Sequence, residues 1–245
     1  MRSDRLWFAR AAGVAALLLS AASPAAAQEI ALGSGTLTGQ SLFIISAVTI
    51  LSLAPGLAVM VTCFPFIVTV LSILRQGIGL QQSPPNMLIV SLALFLTWFI
   101  MEPVMTEAWR VGISPLIDGT IDASTAFERG ITPFRGFMAA RLDPDTLQEL
   151  AALRPGAIAI TDPTQAPLSL LVPSFMLSEM SRAFEIGFLL YLPFLVIDLV
   201  VAAVLMSMGM MMVPPAVVSL PFKLAFFVMA DGWSLVSGAL VRSYM

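Results

Sequence analysis

Residues 42–74 pass without a charged side chain, a run of 33 positions that Arg75 ends. As a helix this run would extend about 50 Å, well beyond the ~30 Å of a bilayer's hydrocarbon core. Pro55 and Pro65 interrupt it, and each removes a backbone donor and favours a bend. The run is therefore either one tilted, bent span or two helices folded against each other. Gly56 and the Thr62-Cys63 pair offer small surfaces for close helix packing. A polar connection follows at 75–86, with Gly77, Gly79, Pro84 and Pro85 as breakers. Apolar sequence resumes over 87–101 and stops at Glu102-Pro103. Arg75 fits the cytoplasmic side, Trp98 and Trp109 fit the membrane interface, and the chain then returns outside.

Between 102 and 162 the pattern changes to nine acidic and five basic residues with little apolar continuity. Short helices in water are predicted here. Asp122 can cap one that stops at Gly130, and Thr132-Pro133 and Asp143-Pro144 each set a capping side chain before a first-turn proline. Phe134, Phe137, Met138 and Leu142 share a face of the second helix, as do Leu147, Leu150 and Ala151 of the third. Stripes this short call for docking against copies or partners.

From 173 the pattern turns helical and apolar again. Met176, Met180, Ala183 and Gly187 line one face, while Glu179, Arg182 and Glu185 follow at i, i+3 and i+6 on another. That charge row is either a paired surface at the membrane edge or an intersubunit seam. Beyond it, 198–233 holds only three charges, Asp198, Lys223 and Asp231, and four methionines in five positions, Met208, Met210, Met211 and Met212. Gly209 and the Pro214-Pro215 pair free this segment from rigid helix. Read from the residues alone, the methionines either fill a helical turn or form an adaptable constriction. The charges either pair to fix helix register, Lys223 with Asp231 two turns on if the helix bends or with Asp198 across the Pro214-Pro215 hairpin, or relay protons.

Hydropathy thus gives an all-α, membrane-associated chain: kinked helical hairpins carrying four apolar segments, with a small helical extracytoplasmic region. The expected organisation is a signal peptide (1–27), an extracytoplasmic segment (28–41), a first hairpin block (42–105), the extracytoplasmic region (106–167) and a second hairpin block (168–245). Arg2, Arg5 and Arg10 precede an apolar stretch at 11–22 and an Ala-x-Ala site at 25–27, the layout of an export signal cleaved between Ala27 and Gln28. An uncleaved anchor is the alternative. Cleavage leaves nine basic and fourteen acidic residues.

Composition narrows the chemistry. The chain is 58% hydrophobic and 11% charged, against about 25% charged in soluble domains. With no histidine and one cysteine, it has no disulfide of its own, no His/Cys metal cluster, and no Ser-His or Cys-His catalysis. It lacks the glycine-rich phosphate loops, and scattered basic residues under a net charge of -3 give no footprint for nucleic acid. A noncatalytic protein without cofactor or metal is expected.

Several motifs stand in order along nearly the whole mature chain: LRxxIG leading to PPN over 74–86, ALFLTWFIMEPV over 93–104, PSFxxSE over 173–179, AFEIGF over 183–188, MGMMMVPP over 208–215, then LPFKL and DGW. In these the chain resembles the FliP family, a core component of the flagellar export gate with relatives in injectisome type III secretion. It departs from the pattern at Pro65-Phe66, where a basic residue is expected. The resemblance implies a subunit of the bacterial inner membrane, within the flagellar basal body. It implies assembly in several copies with two smaller hydrophobic subunits into a conical channel, packed inside the basal-body ring and passing unfolded protein substrates. It also implies that Met210, Met211 and Met212 form a methionine gasket. The competing class is a four-span transporter of small solutes or ions, which needs a binding site within one protomer.

Overall fold

The computed structural model describes residues 37–79, 85–154 and 160–245. The expected signal peptide, with its Ala27/Gln28 junction, lies outside the described residues. The chain divides into two units, Met1–Leu53 and Ala54–Met245. Every described element is helical. Helix α1 (Leu37–Met60) runs through both units, and the rest belong to the second: α2 (Phe64–Ile78), α3 (Asn86–Ala108) with a π-helical continuation (Trp109–Ile113), α4 (Ser114–Ile117), α5 (Ala123–Arg141), α6 (Pro144–Ala152), α7 (Leu168–Ser207), α8 (Pro215–Met229) and α9 (Gly232–Arg242).

The long apolar run is two helices. It breaks at Val61–Cys63, where Pro65 opens α2, while α1 continues through Pro55. Proline suits a first turn because the amide it lacks has no intrahelical partner there. Helix α2 is the centre of the second unit. Cys63, Phe66, Ile67, Val70 and Leu71 are fully buried, and Leu74 and Ile78 almost so. These positions fall on more than one side of the helix, because α3, α7 and α8 all pack on it. Its 15 residues make about 22 Å, too short to cross a bilayer. A segment that hydropathy reads as membrane is thus protein core.

Helix α7 comes closest to α2, and Gly187 permits it: a Cβ there would lie 2.5 Å from Cδ1 of Ile73. Ala183, one turn earlier on the same face, is fully buried. The 40 residues of α7 continue through Pro173 and Pro193. Proline 173 has no amide hydrogen for the Ser169 carbonyl four residues back. Arg154 fills that gap, donating from Nη2 to Ser169 O at 2.8 Å.

A second core joins α5 and α6 to the start of α7. Met138 and Leu142, at the end of α5, meet Leu147 and Ala151 of α6 and Leu171 and Phe175 of α7. The short stripes therefore find their partner within the chain itself, which corrects the expectation that copies or other proteins must cover them. Asp143 caps α6 as predicted, accepting from the backbone of Asp145 and Thr146 at 3.4 Å each. The Thr146 hydroxyl, at 2.9 Å, leads in holding its carboxyl below the usual range.

Helix α5 corrects another expectation. It does not stop at Gly130 and restart at Thr132 but runs unbroken from Ala123 to Arg141. Thr132 turns its hydroxyl back to the Glu128 carbonyl at 2.9 Å instead of capping. Gly130 serves closeness rather than termination: the π-helical turn presses Gly112 on it so tightly that a Cβ on Gly112 would sit 2.8 Å from Ala126 O and 2.9 Å from the Gly130 Cα. Asp122 stands at the N-terminus of α5 in extended conformation. Its carboxylate takes the hydroxyls of Ser124 and Thr125, and these bonds lower its pKa to about 2.

Among the described residues, two helices are long and apolar enough to cross a membrane, 86–117 and Leu168–Ser207, and α8 with α9 forms an apolar pair bent by 60°.

Candidate functional site

The methionine segment lies outside any helix. Helix α7 ends in a Schellman turn: Gly209, at φ 75°, donates to Met206 O at 3.0 Å, and Met210 donates to Leu205 O at 2.9 Å. This pattern needs a left-handed residue just past the helix, and glycine supplies it without a Cβ penalty. Met210 folds back beside Leu205 at the end of an apolar groove of about 560 Å³ that includes Val201, Val218 and Phe222. Met211 and Met212 have no such cover and stand 83% and 97% exposed. Pro214 is extended and Pro215 begins α8 with φ already suited to a helix.

Farther down this hairpin buried Lys223 meets Asp198, which is only half-buried. Ser219 and Lys223, one turn apart on α8, both face Asp198 of α7. Lys223 Nζ donates to Asp198 Oδ2 at 2.6 Å and to the Gly77 carbonyl of α2 at 3.1 Å. The Ser219 hydroxyl donates to Asp198 Oδ1 at 2.5 Å. Lys223 is 4% exposed, so its charge is matched by one carboxylate and one carbonyl rather than by bulk water. This network ties three helices together, with Lys223 and Asp198 paired across the hairpin.

Asp231 is not part of it. The sequence placed Asp231 among the buried charges, but it is exposed. It forms the break between α8 and α9 and is, among the described residues, the one non-glycine position at positive φ, 48°. Aspartate tolerates that conformation better than most residues, and an exposed turn leaves its carboxylate hydrated.

Of the three charges in the candidate seam, Glu179 turns inward. It shares a face with Ala183 and is 1% exposed. Arg141 Nε donates to Oε1 at 3.3 Å, Arg182 Nη1 donates to the same oxygen at 3.4 Å, and the Tyr244 hydroxyl donates to Oε2. The Arg141 guanidinium also lies 3.9 Å from the centre of the Tyr244 ring and donates to Ser243 O at 2.6 Å. Arg182 is half-buried, and Glu185 is exposed. The seam charges accessible on the protomer's outside are thus Arg182 and Glu185.

Arg141, Tyr244, Ser219 and Gly77 were not anticipated. Ser219 had a signal, four residues before Lys223 on the same helical face. Arg141 and Tyr244 had none, since they lie 38 and 65 positions from Glu179. Replacing Tyr244 with Phe keeps the ring that stacks on Phe137 and meets Phe66 edge-on, but removes the donor to Glu179. A loss of about 1–3 kcal/mol is expected for a buried acceptor left unmade. Thermal unfolding in detergent reads this directly, and an unchanged midpoint refutes the role.

Among the described residues no three His, Cys, Asp or Glu side chains converge as metal ligands do. The interior polar groups are satisfied mostly by one another. The protomer leaves open the methionine turn with the apolar groove beneath it, the apolar outer faces of α3 and α7, and a polar cavity of about 730 Å³ edged by Arg75, Gln76, Asn86, Asp198 and Lys223.

The FliP family matches residues 47–240. The chain belongs to the FliP family. It is 50% identical over 238 residues to the flagellar biosynthetic protein FliP of Caulobacter vibrioides, covering 96% of this chain and 88% of that one. It is 50% identical over 199 residues to the FliP of Rhizobium meliloti, covering 80% and 81%. The FliP of Aquifex aeolicus is 44% identical over 217 residues, covering 88% and 90%. The FliP family is a family of transport components and not of enzymes.

Proposed function

We propose that this FliP-family chain is a core subunit of the flagellar type III protein export gate, and that its copies line the channel through which unfolded flagellar proteins cross the inner membrane. The observation that carries the reading is the methionine turn. Met211 and Met212 are large and apolar, lie outside any helix, and have almost no contact within the protomer. Such side chains gain cover if several subunits converge on one axis, where flexible thioethers fill a narrow aperture, yield to a passing chain and close again. Gly209 and Pro214-Pro215 hold the turn apart from the helices on either side.

The length of α7 supports assembly. Its 40 residues span about 60 Å, twice the ~30 Å that lipid can cover. The remaining apolar surface calls for protein, supplied by copies of this chain, by two smaller hydrophobic subunits and by the surrounding basal-body ring, in a conical complex. Residues 1–27 act as a cleaved export signal, and α4, α5 and α6 face the periplasm. The flagellar names of the relatives favour the flagellum over an injectisome. A small-solute transporter needs a site within the protomer; Asp198, Lys223, Ser219 and Glu179 are already held by internal partners, and the polar cavity that Asp198 and Lys223 edge with Arg75, Gln76 and Asn86 is where such a reading would have to place its solute.

The mass of the gently detergent-extracted complex tests this. Several copies of the chain with two smaller companions are expected, and a stable monomer overturns the proposal.

A further inference from the structure

The apex of the α7–α8 hairpin is also, among the described residues, the most accessible run of sulfur. The single cysteine, Cys63, is fully buried, so the exposed sulfur is thioether. Met208, Met211 and Met212 are 66%, 83% and 97% exposed on one turn. Met87, Met229 and Met245 are also exposed; Met87 and Met229 project from apolar helices, whose outer faces lipid or neighbouring subunits would cover, and Met245 is a single methionine beyond α9 rather than a cluster. A turn at a constriction meets water whenever the ring yields to a passing chain.

We propose that Met211 and Met212 are oxidation sites of the gate: a hypohalous acid converts their thioethers to sulfoxides, and the oxidised ring no longer seals against ions. The proposal rests on the constriction reading. Sulfur attacks the chlorine of hypochlorous acid and releases hydroxide. Water then supplies the sulfoxide oxygen while chloride leaves, and the water's protons pass to hydroxide and solvent. Sulfur gives up an electron pair and chlorine takes it. The product is a polar side chain with a strong acceptor oxygen, where an apolar constriction closes by excluding water. The lesion is reversible, because separate reductases restore each sulfoxide epimer.

The test uses the assembled complex in liposomes loaded with a pH-sensitive dye. Hypochlorous acid is added, proton leak is followed, and the peptide carrying Met208 to Met212 is weighed for added oxygen. A several-fold rise in leak that tracks oxygen on Met211 and Met212, and that a pair of sulfoxide reductases reverses, is expected. A Met211→Leu, Met212→Leu variant, whatever its resting leak, should not respond to the oxidant.

The proposal is overturned if both sulfoxides form without added leak, if this peptide stays unoxidised while Met87 and Met229 react, if the leucine variant responds as strongly, or if reduction fails to restore the seal. Alanine replacement of the turn, made without oxidant, separates the two ideas. A leak there with no response to oxidation sinks the oxidation step alone, whereas no leak sinks the constriction as well.

Discussion

Lys223→Ala should destabilise the protomer by about 1–3 kcal/mol, less than the cost of breaking a fully buried ion pair because the Asp198 side chain left behind is 29% exposed. The carboxylate of Asp198 would keep the Ser219 hydroxyl, but the Gly77 carbonyl and the second carboxylate oxygen would lose their donor. Three helices meet at that ammonium, so α2, α7 and α8 should loosen together. Thermal unfolding in detergent measures the loss.

A second variant separates the worth of the pair from the cost of breaking it. Lys223→Met with Asp198→Leu removes both charges, and such exchanges are often near neutral. It should therefore recover most of what Lys223→Ala loses. A loss under about 1 kcal/mol for Lys223→Ala, the range of an exposed pair, would show that water reaches the site and that the pair does not hold the hairpin.

The alanine replacement of Met210, Met211 and Met212 together should leave folding intact and open the gate. These side chains are 42%, 83% and 97% exposed, so the protomer loses little packing and the complex should still assemble. In the ring, each truncation removes the part of the side chain that reaches the axis, and several subunits multiply the gap. Ion leak across the membrane should rise sharply while export of flagellar proteins falls or loses its selectivity. If the complex assembles and neither leak nor export changes, the methionines are not the constriction.

Much of this was legible in the sequence because it depends on neighbours along the chain. The Asp143-Pro144 cap and the Gly209 terminus are local matters of backbone chemistry, and each stands where its residues indicate, whereas Pro55 and Pro65 look alike and only Pro65 marks the break. The Lys223–Asp198 pair could be anticipated because a hairpin with one turn has few ways to bring together two charges on otherwise apolar helices.

Other features depended on what another helix would do. Gly130 has the composition of a stop, yet the close approach of Gly112 makes it a contact in mid-helix. Glu179 has the spacing of a surface ion row, yet Arg141 and Tyr244 arrive from distant sequence and make its burial tolerable. Helix α2 has the hydropathy of a membrane span, and only the helices packed round it distinguish a protein interior from lipid. Apolar surroundings of either kind select the same side chains, so periodicity could not tell them apart.

The bond from Lys223 to Gly77 joins positions 146 residues apart. At the ~5–20 residues per second of synthesis, the carbonyl on α2 waits about 7–30 s for the ammonium that satisfies it, and α7, the main cover of α2, is completed only shortly before. Throughout that interval a 15-residue apolar helix is held too short to span the bilayer and without its finished surroundings. The timetable of translation therefore makes the newborn subunit depend on shelter, from the membrane surface or from companions already in place, before the last hairpin closes over its centre.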